Sequence, residues 1–303
     1  MVEVNDMYTL LIRGEDLTEA EIGQLREVEA ELGREKLFQL VSKKKMIPFA
    51  ARTFAMYGID AAFWAEQLEL FRTRNRKILH CLNDAYTSLR RHGVRKMFVS
   101  ENFGALLSAN GDIGLFASGD VDNYVDPCER ERIYQAFDAL GYRRQERYSG
   151  QLQIAAEFFP PENMDVPEKF YVSVDFYPLA RLKLPCLIQA DQFVDWDGLT
   201  CYADTAIMLP PANALMYICM LHISLHSFSR APDIRLYIDL LNMSKLPIDY
   251  AMLRKWCMAD RTCTRAAAAA ELANCLMKTH FPEELIQLSE RRKKIERLVY
   301  DPK

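Results

Sequence analysis

The spacing of hydrophobic and polar residues changes twice along the chain, from helical to strand-like and back to helical. In Leu17–Arg74 apolar residues recur at three- and four-residue steps, and Thr18 with Glu21 three residues later has the form of a capping box. After residue 211 the helical spacing returns, so the pattern predicts a helical region at each end. The helices predicted there are Ala212–Ser227, Asp233–Met243, Tyr250–Met258, Arg265–Lys278 and a charged terminal helix from Glu283.

The middle of the chain mixes both periods. Ile78–His92 is an amphipathic helix that Gly93 ends, and Val94–Ser100 has the branched and aromatic residues of a strand. We therefore expect an α+β fold with an N-terminal helical region at 1–75, a mixed-sheet core at 76–208 and a C-terminal helical bundle at 209–303. The remaining core elements are a turn at Asn110-Gly111, a strand at Val121–Val125, a helix at Glu129–Leu140 ended by Gly141, a polar hairpin-like stretch, and strands at Leu152–Phe159 and Phe170–Phe176.

Composition narrows the possible partners. The 38 Lys and Arg residues against 42 Asp and Glu give a net charge of -4, which disfavours a nucleic-acid polymer as the ligand. The eight cysteines are scattered without a Cys-x-x-Cys pair, and no apolar run approaches the roughly 20 residues that cross a bilayer. We expect a cytoplasmic protein with reduced thiols and no membrane role.

The most informative segment is Ser118-Gly119-Asp120-Val121-Asp122, in which two carboxylates lie two residues apart. On a strand both project from the same face, so they can share metal ions. Asp175, near the end of the strand Phe170–Phe176, is suited to complete a three-carboxylate site. Nucleotidyl transfer uses such clusters because a pair of Mg²⁺ ions neutralises a triphosphate and activates the attacking oxygen.

An Asp-x-Asp pair alone is common in surface loops, but here other motifs accompany it. They are Ser118-Gly119 before the pair, Asn123-Tyr124-Val125 after it, the helix Ile133–Leu140 closed by Gly141-Tyr142, and the later Val174-Asp175-Phe176. Together they resemble the bacterial "nucleotidyltransferase family protein" group, a branch of the polymerase-beta superfamily.

This resemblance implies a nucleotidyltransferase-type mixed sheet and Mg²⁺-dependent transfer of a nucleotidyl group from a nucleoside triphosphate. It implies that Asp120 and Asp122 bind the metals and that Asp175 is a third ligand or the base. It also places Ser118 and Gly119 beside the donor. The acceptor is a small molecule, a peptide or a protein side chain, and no pattern identifies the acceptor, the nucleotide base or the oligomeric state.

Beyond the core, Leu209–Leu215, His222, His226 and Arg235–Leu241 resemble the C-terminal helical segment of the same family. The resemblance makes His222, His226 and Asp239 candidates for an acceptor pocket. Two structural interpretations compete with it. The histidines at four-residue spacing are also typical of buried packing, and Arg235 with Asp239 has the spacing of an ordinary ion pair within a helix.

The sequence departs from the family pattern at two places. Glu101-Asn102 replaces a Lys-Gly after the first core strand, and Phe116 replaces an Arg ahead of the aspartates. Two cationic contacts to a triphosphate are thereby lost, which leaves a second hypothesis open: a catalytically degenerate protein of this fold that binds a nucleotide, a peptide or a partner. The basic stretch Lys43–Lys45 is most simply a solvated helix face. For Arg143–Arg147 two interpretations remain, a phosphate-binding segment and, more simply, a solvated hairpin.

Overall fold

A computed structural model describes residues 4–177, 190–226 and 233–287. Its centre is a five-stranded sheet with the strand order β1-β2-β5-β4-β3. The β2–β5 pair is parallel and the other three pairs are antiparallel, so the sheet is mixed. The α+β class with a mixed sheet is thus confirmed. The strands are β1 (Met97–Val99), β2 (Asp120–Val125), β3 (Arg143–Ser149), β4 (Leu152–Phe159) and β5 (Tyr171–Asp175).

Helices precede, interrupt and follow the sheet. The N-terminal ones are α1 (Val4–Arg13), α2 (Glu19–Leu32), α3 (Arg34–Lys43), α4 (Ile47–Met56) and α5 (Ala61–Arg91); α6 (Glu101–Ser108) and α7 (Arg130–Ala139) lie between strands. A short ribbon of β6 (Thr200–Cys201) and β7 (Met208–Leu209) leads into α8 (Ala212–Leu225), α9 (Tyr237–Met243), α10 (Tyr250–Ala259), α11 (Cys263–Met277) and α12 (Glu283–Ile286). The 31-residue α5 passes through residues 75 and 76 without a break, so the expected boundary there falls inside a helix.

The alternation of side chains gives the sheet two different faces. One face is apolar and packs on α5 and α7: Phe137 of α7 stacks on Phe158 with 4.0 Å between ring centroids. On the same side the hydroxyl of Tyr86 in α5 donates to Oδ1 of the buried Asn123 at 2.8 Å. The other face carries the acidic residues of β2 and β5 and is covered by α6 and α8. The functional candidates therefore lie between the sheet and the C-terminal helices.

Helix α5 also fixes the loop that leads into β2. Asn75 donates from Nδ2 to the carbonyl oxygens of Ile113 and Phe116 at 2.6 and 2.9 Å. The neighbouring Arg74 donates from Nη2 to the carbonyl oxygen of Ser118 at 2.6 Å. Because backbone groups are anchored on both sides of the loop, the first residue of β2 enters the sheet at a defined position.

Five elements were not foreseen from the sequence as regular elements: α1, α6, β3 and the two short strands β6 and β7. Helix α6 is buried on nearly all sides, so it shows no amphipathic period, and Asn102 and Gly104 lower its helix propensity. A Cβ on Gly104 would lie 2.5 Å from the carbonyl oxygen of Val99, which is why a glycine lets α6 start so close to β1. Strand β3 is almost entirely polar and is stabilised as an edge strand by pairing with β4.

Elsewhere the elements agree closely with the pattern. The Thr18–Glu21 capping box is confirmed, and the strand expected at Val94–Ser100 is the shorter β1. The segment Asp233–Met243 begins as a 3-10 turn at Asp233–Leu236 before α9. Of the expected terminal helix only α12 lies within the described residues, and the part from residue 288 onward lies outside them. Of the helices that the structure describes, none has the length and apolar character needed to cross a membrane.

The side chain of Glu21 joins the two ends of the chain. It accepts hydrogen bonds from Arg13 Nη1 at 2.6 Å, from the Thr18 backbone nitrogen at 2.8 Å and from Lys278 Nζ at 3.1 Å. The Arg13 guanidinium in particular holds the Glu21 pKa well below its usual 4.5. A carboxyl with a lowered pKa stabilises the fold above its unfolded pKa, and the stability is lost as pH falls below about 4.5.

We predict that Glu21→Gln lowers the free energy of unfolding at pH 7 by roughly 1–2 kcal/mol, because it leaves the buried Arg13 without its anion, although glutamine can still complete the capping box. The variant should also lose less stability than the wild type between pH 5 and pH 3, measured by urea denaturation at both pH values. Glu19→Gln, in the exposed first turn of the same helix, is the control. Equal acid sensitivity of Glu21→Gln and the wild type would contradict the assignment.

Candidate active site

The structure brings the three predicted aspartates to one face of the sheet. Asp120 and Asp122 lie two residues apart on β2, and the β2–β5 register places Asp175 opposite Tyr124, two residues further along the same face. All three aspartates line one cavity of about 420 Å³. Glu101, Ser118, Tyr171, His222 and His226 also line it.

Asp120 is held by hydrogen bonds at both carboxylate oxygens. Ser118 Oγ donates to Oδ1, and the Tyr171 hydroxyl donates to Oδ2 at 3.2 Å. Ser118 therefore lies in the cavity and orients Asp120. Gly119 was expected beside the donor, but its surroundings are backbone. A Cβ at this position would lie 2.9 Å from the carbonyl oxygen of Lys169. The lack of a side chain therefore lets the start of β2 approach the segment that leads to β5.

A fourth carboxyl, Glu101, belongs to the cluster, although the sequence identified it only as a departure that would repel a triphosphate. Glu101 is 6% exposed and begins α6 with a φ of 50°, a left-handed conformation that is strained for a residue with a side chain. The Tyr124 hydroxyl donates to its Oε1 at 2.9 Å, and its carboxyl shares a hydrogen bond with Asp122. The strained backbone thus places an acidic side chain against the aspartates.

Burial and mutual repulsion favour protonated carboxyls in this cluster. Burial, followed by the charge of Asp175, raises the Glu101 pKa to about 8. Burial and the neighbouring charges of Glu101, Asp120 and Asp175 raise the Asp122 pKa well above its usual range. Without a bound cation, Glu101 and Asp122 therefore share a proton rather than both being charged.

The two histidines extend the cluster toward the outer part of the cavity. His222 Nδ1 lies 3.3 Å from Glu101 Oε2, and His226 Nε2 lies 3.1 Å from His222 Nε2. His222 is buried and His226 is exposed. The structure thus brings both histidines into the same cavity as the aspartates, on the wall formed by α8.

Asp239 lies beside the main cavity rather than in it. It is 2% exposed and lines a narrow adjoining cavity of about 20 Å³ that shares Asn102, Ser118 and Arg235 with the main one. Burial raises the Asp239 pKa well above its usual range, and its Oδ1 accepts no hydrogen bond within the described part of the chain. The expectation of an ordinary Arg235–Asp239 ion pair was wrong, because no such pair forms among residues 233–287.

Cationic side chains also line the main cavity. Within the described ranges they are Lys45, Arg147 and Arg235. Lys45 and Arg147 were expected on solvated surfaces. Side chains alternate along a strand, which puts Arg143 and Arg147 on one face and Arg144 on the other. This alternation is the sequence signal that would have distinguished Arg147 from its neighbours. Phe116, at the second departure from the family pattern, is buried against Phe103 with 4.6 Å between ring centroids.

No family model matches the chain, and comparisons with curated proteins and with solved structures gave no significant match. In residues 4–177, 190–226 and 233–287, no group of three His, Cys, Asp or Glu side chains forms a ready-made metal site. The chemistry of the cavity therefore has to be inferred from its own residues.

Glu101 provides a test of the electrostatics that needs no ligand. An acid whose folded-state pKa is raised destabilises the fold as pH rises from its unfolded pKa, here 4.5, to its folded pKa of about 8. We predict that Glu101→Gln, in EDTA, makes the slope of unfolding free energy against pH less negative in this interval, by up to about 1.4 kcal/mol per pH unit for one proton.

The measurement is urea denaturation at several pH values across this interval. Glu131→Gln, on the exposed side of α7, is the control and should leave the slope unchanged. If Glu101→Gln and wild-type protein have parallel stability profiles, Glu101 is already ionised in the folded protein and the shared proton is wrong.

Proposed function

We propose that the protein is a Mg²⁺-dependent nucleotidyltransferase with a nucleotidyltransferase-type sheet, which transfers a nucleotidyl group from a nucleoside triphosphate to a small-molecule, peptide or protein acceptor. The observation that carries the proposal is the convergence of Asp120, Asp122 and Asp175 on one face of the parallel β2–β5 pair, inside a cavity of about 420 Å³. A cavity of this size is in the range of small-molecule sites.

The donor set fits a hard divalent cation. Its side chains offer carboxylate oxygens, which Mg²⁺ prefers. The repulsion that raises the Asp122 pKa is an interaction that the positive charge of a divalent cation would relieve. Asp120 and Asp122 would hold the metal, and Asp175 would be a third ligand. When bound, Mg²⁺ would neutralise the donor's phosphates and the leaving pyrophosphate.

The residues of the chain have separate tasks in this proposal. Ser118 and Tyr171 fix the Asp120 carboxylate through its two hydrogen bonds. Asp175, at the end of β5, is placed to accept the acceptor's proton if it does not bind the metal. The wall with His222 and His226 would contact the acceptor, since it borders the same cavity from α8.

A second function is supported by one specific feature of the cluster. Glu101 is hydrogen-bonded to Asp122 and Tyr124, and His222 Nδ1 lies 3.3 Å from its Oε2, so its carboxyl group is satisfied without a metal ion. This arrangement is what a catalytically degenerate nucleotidyltransferase fold would have if a protonated carboxyl occupied the position of a cation. Such a protein would bind a nucleotide, a peptide or a partner without transfer.

Metal dependence distinguishes the two functions. For the enzyme we predict that ATP, CTP, GTP or UTP raises the melting temperature by a few degrees only when Mg²⁺ is present, because the metal links the carboxylates to the phosphates. The measurement is a thermal-shift panel with Mg²⁺ or EDTA. Stabilisation of the same size in EDTA would support the degenerate binder instead.

We further predict that Asp120→Asn and Asp122→Asn each lower nucleotidyl transfer by on the order of a hundredfold or more, because metal-based charge stabilisation contributes several kcal/mol to such a transition state. Stability should not fall in parallel, and Asp122→Asn should be at least as stable as the wild type, because it removes a buried acid beside Glu101.

Transfer is followed by label incorporation from radiolabelled nucleoside triphosphates and by pyrophosphate release, and stability by urea denaturation. Asp138→Asn, exposed on α7, is the matched control and should retain full activity. Unchanged turnover in both cavity variants would refute the catalytic role of the aspartate pair.

A further inference from the structure

Arg147 lies in the same row of the sheet as Asp175. The pairings Tyr124–Asp175, Asp175–Ala155 and Ala155–Arg147 cross β2, β5, β4 and β3 in sequence, so these side chains share one face. With strands about 4.8 Å apart, the Cα atoms of Arg147 and Asp175 are separated by roughly 10 Å. Ala155, between them, has only a methyl group and leaves room for a long side chain above it. Arg147 therefore lies on the same face as the acids, two strands from Asp175.

Two features hold Arg147 in this position. Its guanidinium pairs with Glu157 on β4, whose side chain is 7% exposed, whereas that of Arg147 is 39% exposed. A register shift follows immediately between Arg147 and Tyr148, and such bulges redirect side chains at the ends of edge strands. A guanidinium has five N–H donors and one carboxylate accepts at most two of them in parallel, so donors remain for a ligand in the cavity.

Arg235 approaches from the opposite wall. It lies in the 3-10 turn before α9, is partly buried and lines both the main cavity and the narrow cavity beside it. Arg235 makes no hydrogen bond or ion pair with any residue that the structure describes. The charge of Arg235 acts on Asp239, whose pKa it lowers against the larger effect of burial. A partly desolvated guanidinium without a hydrogen-bonded anion is nevertheless unfavourable, and an anion in the cavity would stabilise it.

The cavity thus has two kinds of charge in separate parts of its lining. Glu101 and the three aspartates are on the sheet and α6, while Arg147 and Arg235 lie on the edge strand and on the turn before α9. Carboxylates bind hard cations, and guanidinium groups bind phosphate oxygens in bidentate geometry. A metal-bound polyphosphate combines both requirements in one ligand, because its metal ions contact the acids and its outer oxygens remain anionic.

We propose that Arg147 and Arg235 form a two-arginine clamp for the triphosphate of the donor, with Lys45 at the cavity edge; this rests on the proposed nucleotidyltransferase function. The two arginines of the clamp contact the triphosphate from β3 and from the turn before α9. It orients the triphosphate so that its far end points away from the acids, toward the edge strand. Arg147 is a binding residue whose position depends on Glu157.

The test is isothermal titration of the full chain with inorganic tripolyphosphate and with ATP, each in Mg²⁺ and in EDTA. The variants are Arg235→Gln and the double change Arg147→Gln with Glu157→Gln, which leaves no unpaired buried charge. Arg144→Gln is the matched control, because Arg144 belongs to the same strand β3 but to its opposite face, and its guanidinium lies 3.8 Å from the centre of the Tyr134 ring. We expect tenfold to hundredfold weaker binding of both ligands in the clamp variants, and a change of less than about twofold in the control.

Folding of each variant is checked by circular dichroism and thermal unfolding. Should a glutamine variant fail to fold, Arg147→Lys or Arg235→Lys replaces it; these keep the charge but lose the bidentate geometry, and we expect intermediate affinity. Wild-type affinity in both clamp variants, or equal weakening by Arg144→Gln, would overturn the clamp. Absence of tripolyphosphate binding by the wild type would overturn it as well.

The aspartate variants separate the clamp from the function on which it rests. If Asp120→Asn abolishes transfer while the arginine variants bind and react like the wild type, the function stands and the clamp is wrong. If the arginine variants lose tripolyphosphate binding in EDTA while wild-type protein transfers no nucleotide to any acceptor, the clamp stands and the transferase function fails.

Discussion

The parallel pairing of β2 with β5 is the constraint on which the site depends. Its register aligns Asp122 with Ser173 and Tyr124 with Asp175, so carboxyls from segments about 50 residues apart meet on one face. A slip of one residue would turn Asp175 to the apolar face and expose the valines of β5. Burial of those valines against α5 and α7 therefore fixes the register, and the register brings the acids together. The apolar core thus determines, through this pairing, where the carboxyl groups of the site lie.

Concentrating four carboxyls in one partly enclosed cavity is unfavourable, and the helical parts of the chain stabilise the arrangement. Arg74 and Asn75 of α5 anchor the loop ahead of Asp120. Tyr124 donates a hydrogen bond to Glu101 from the sheet, and His222 on α8 lies 3.3 Å from the same carboxyl group. The long α5 runs without a break through residue 75 and contacts both α4 of the N-terminal region and α7 of the core. The flanking helices are thus part of the framework of the site.

Short-range sequence patterns were sufficient to predict the three aspartates as candidates. Strand alternation puts Asp120 and Asp122 on one face, and Asp175 lies at the end of a later strand. Such patterns could not identify Glu101 or Arg147. Glu101 joins the cluster only because α6 turns back over β2 immediately after β1, and Arg147 reaches the cavity only through three consecutive strand pairings. Alternation along β3 separates Arg147 from Arg144, but no local pattern shows which face meets the cavity, since α6 lacks an amphipathic period and β3 lacks an apolar face. Long-range register, which sequence periodicity does not encode, accounts for these two omissions.

The strained backbone of Glu101 connects the stability of the cluster with its chemistry. A left-handed φ at a residue with a side chain costs of order 1–3 kcal/mol, and here it positions a carboxyl where burial already disfavours its charge. Both costs are tolerated because the surrounding sheet and helices determine the position of α6. In the metal-free protein a shared proton reduces the repulsion between Glu101 and Asp122. A divalent cation would do the same more effectively while releasing that proton, so metal affinity should depend on pH. The Glu101 carboxyl, which stabilises the metal-free cluster by sharing a proton, would therefore also couple cation binding to proton release.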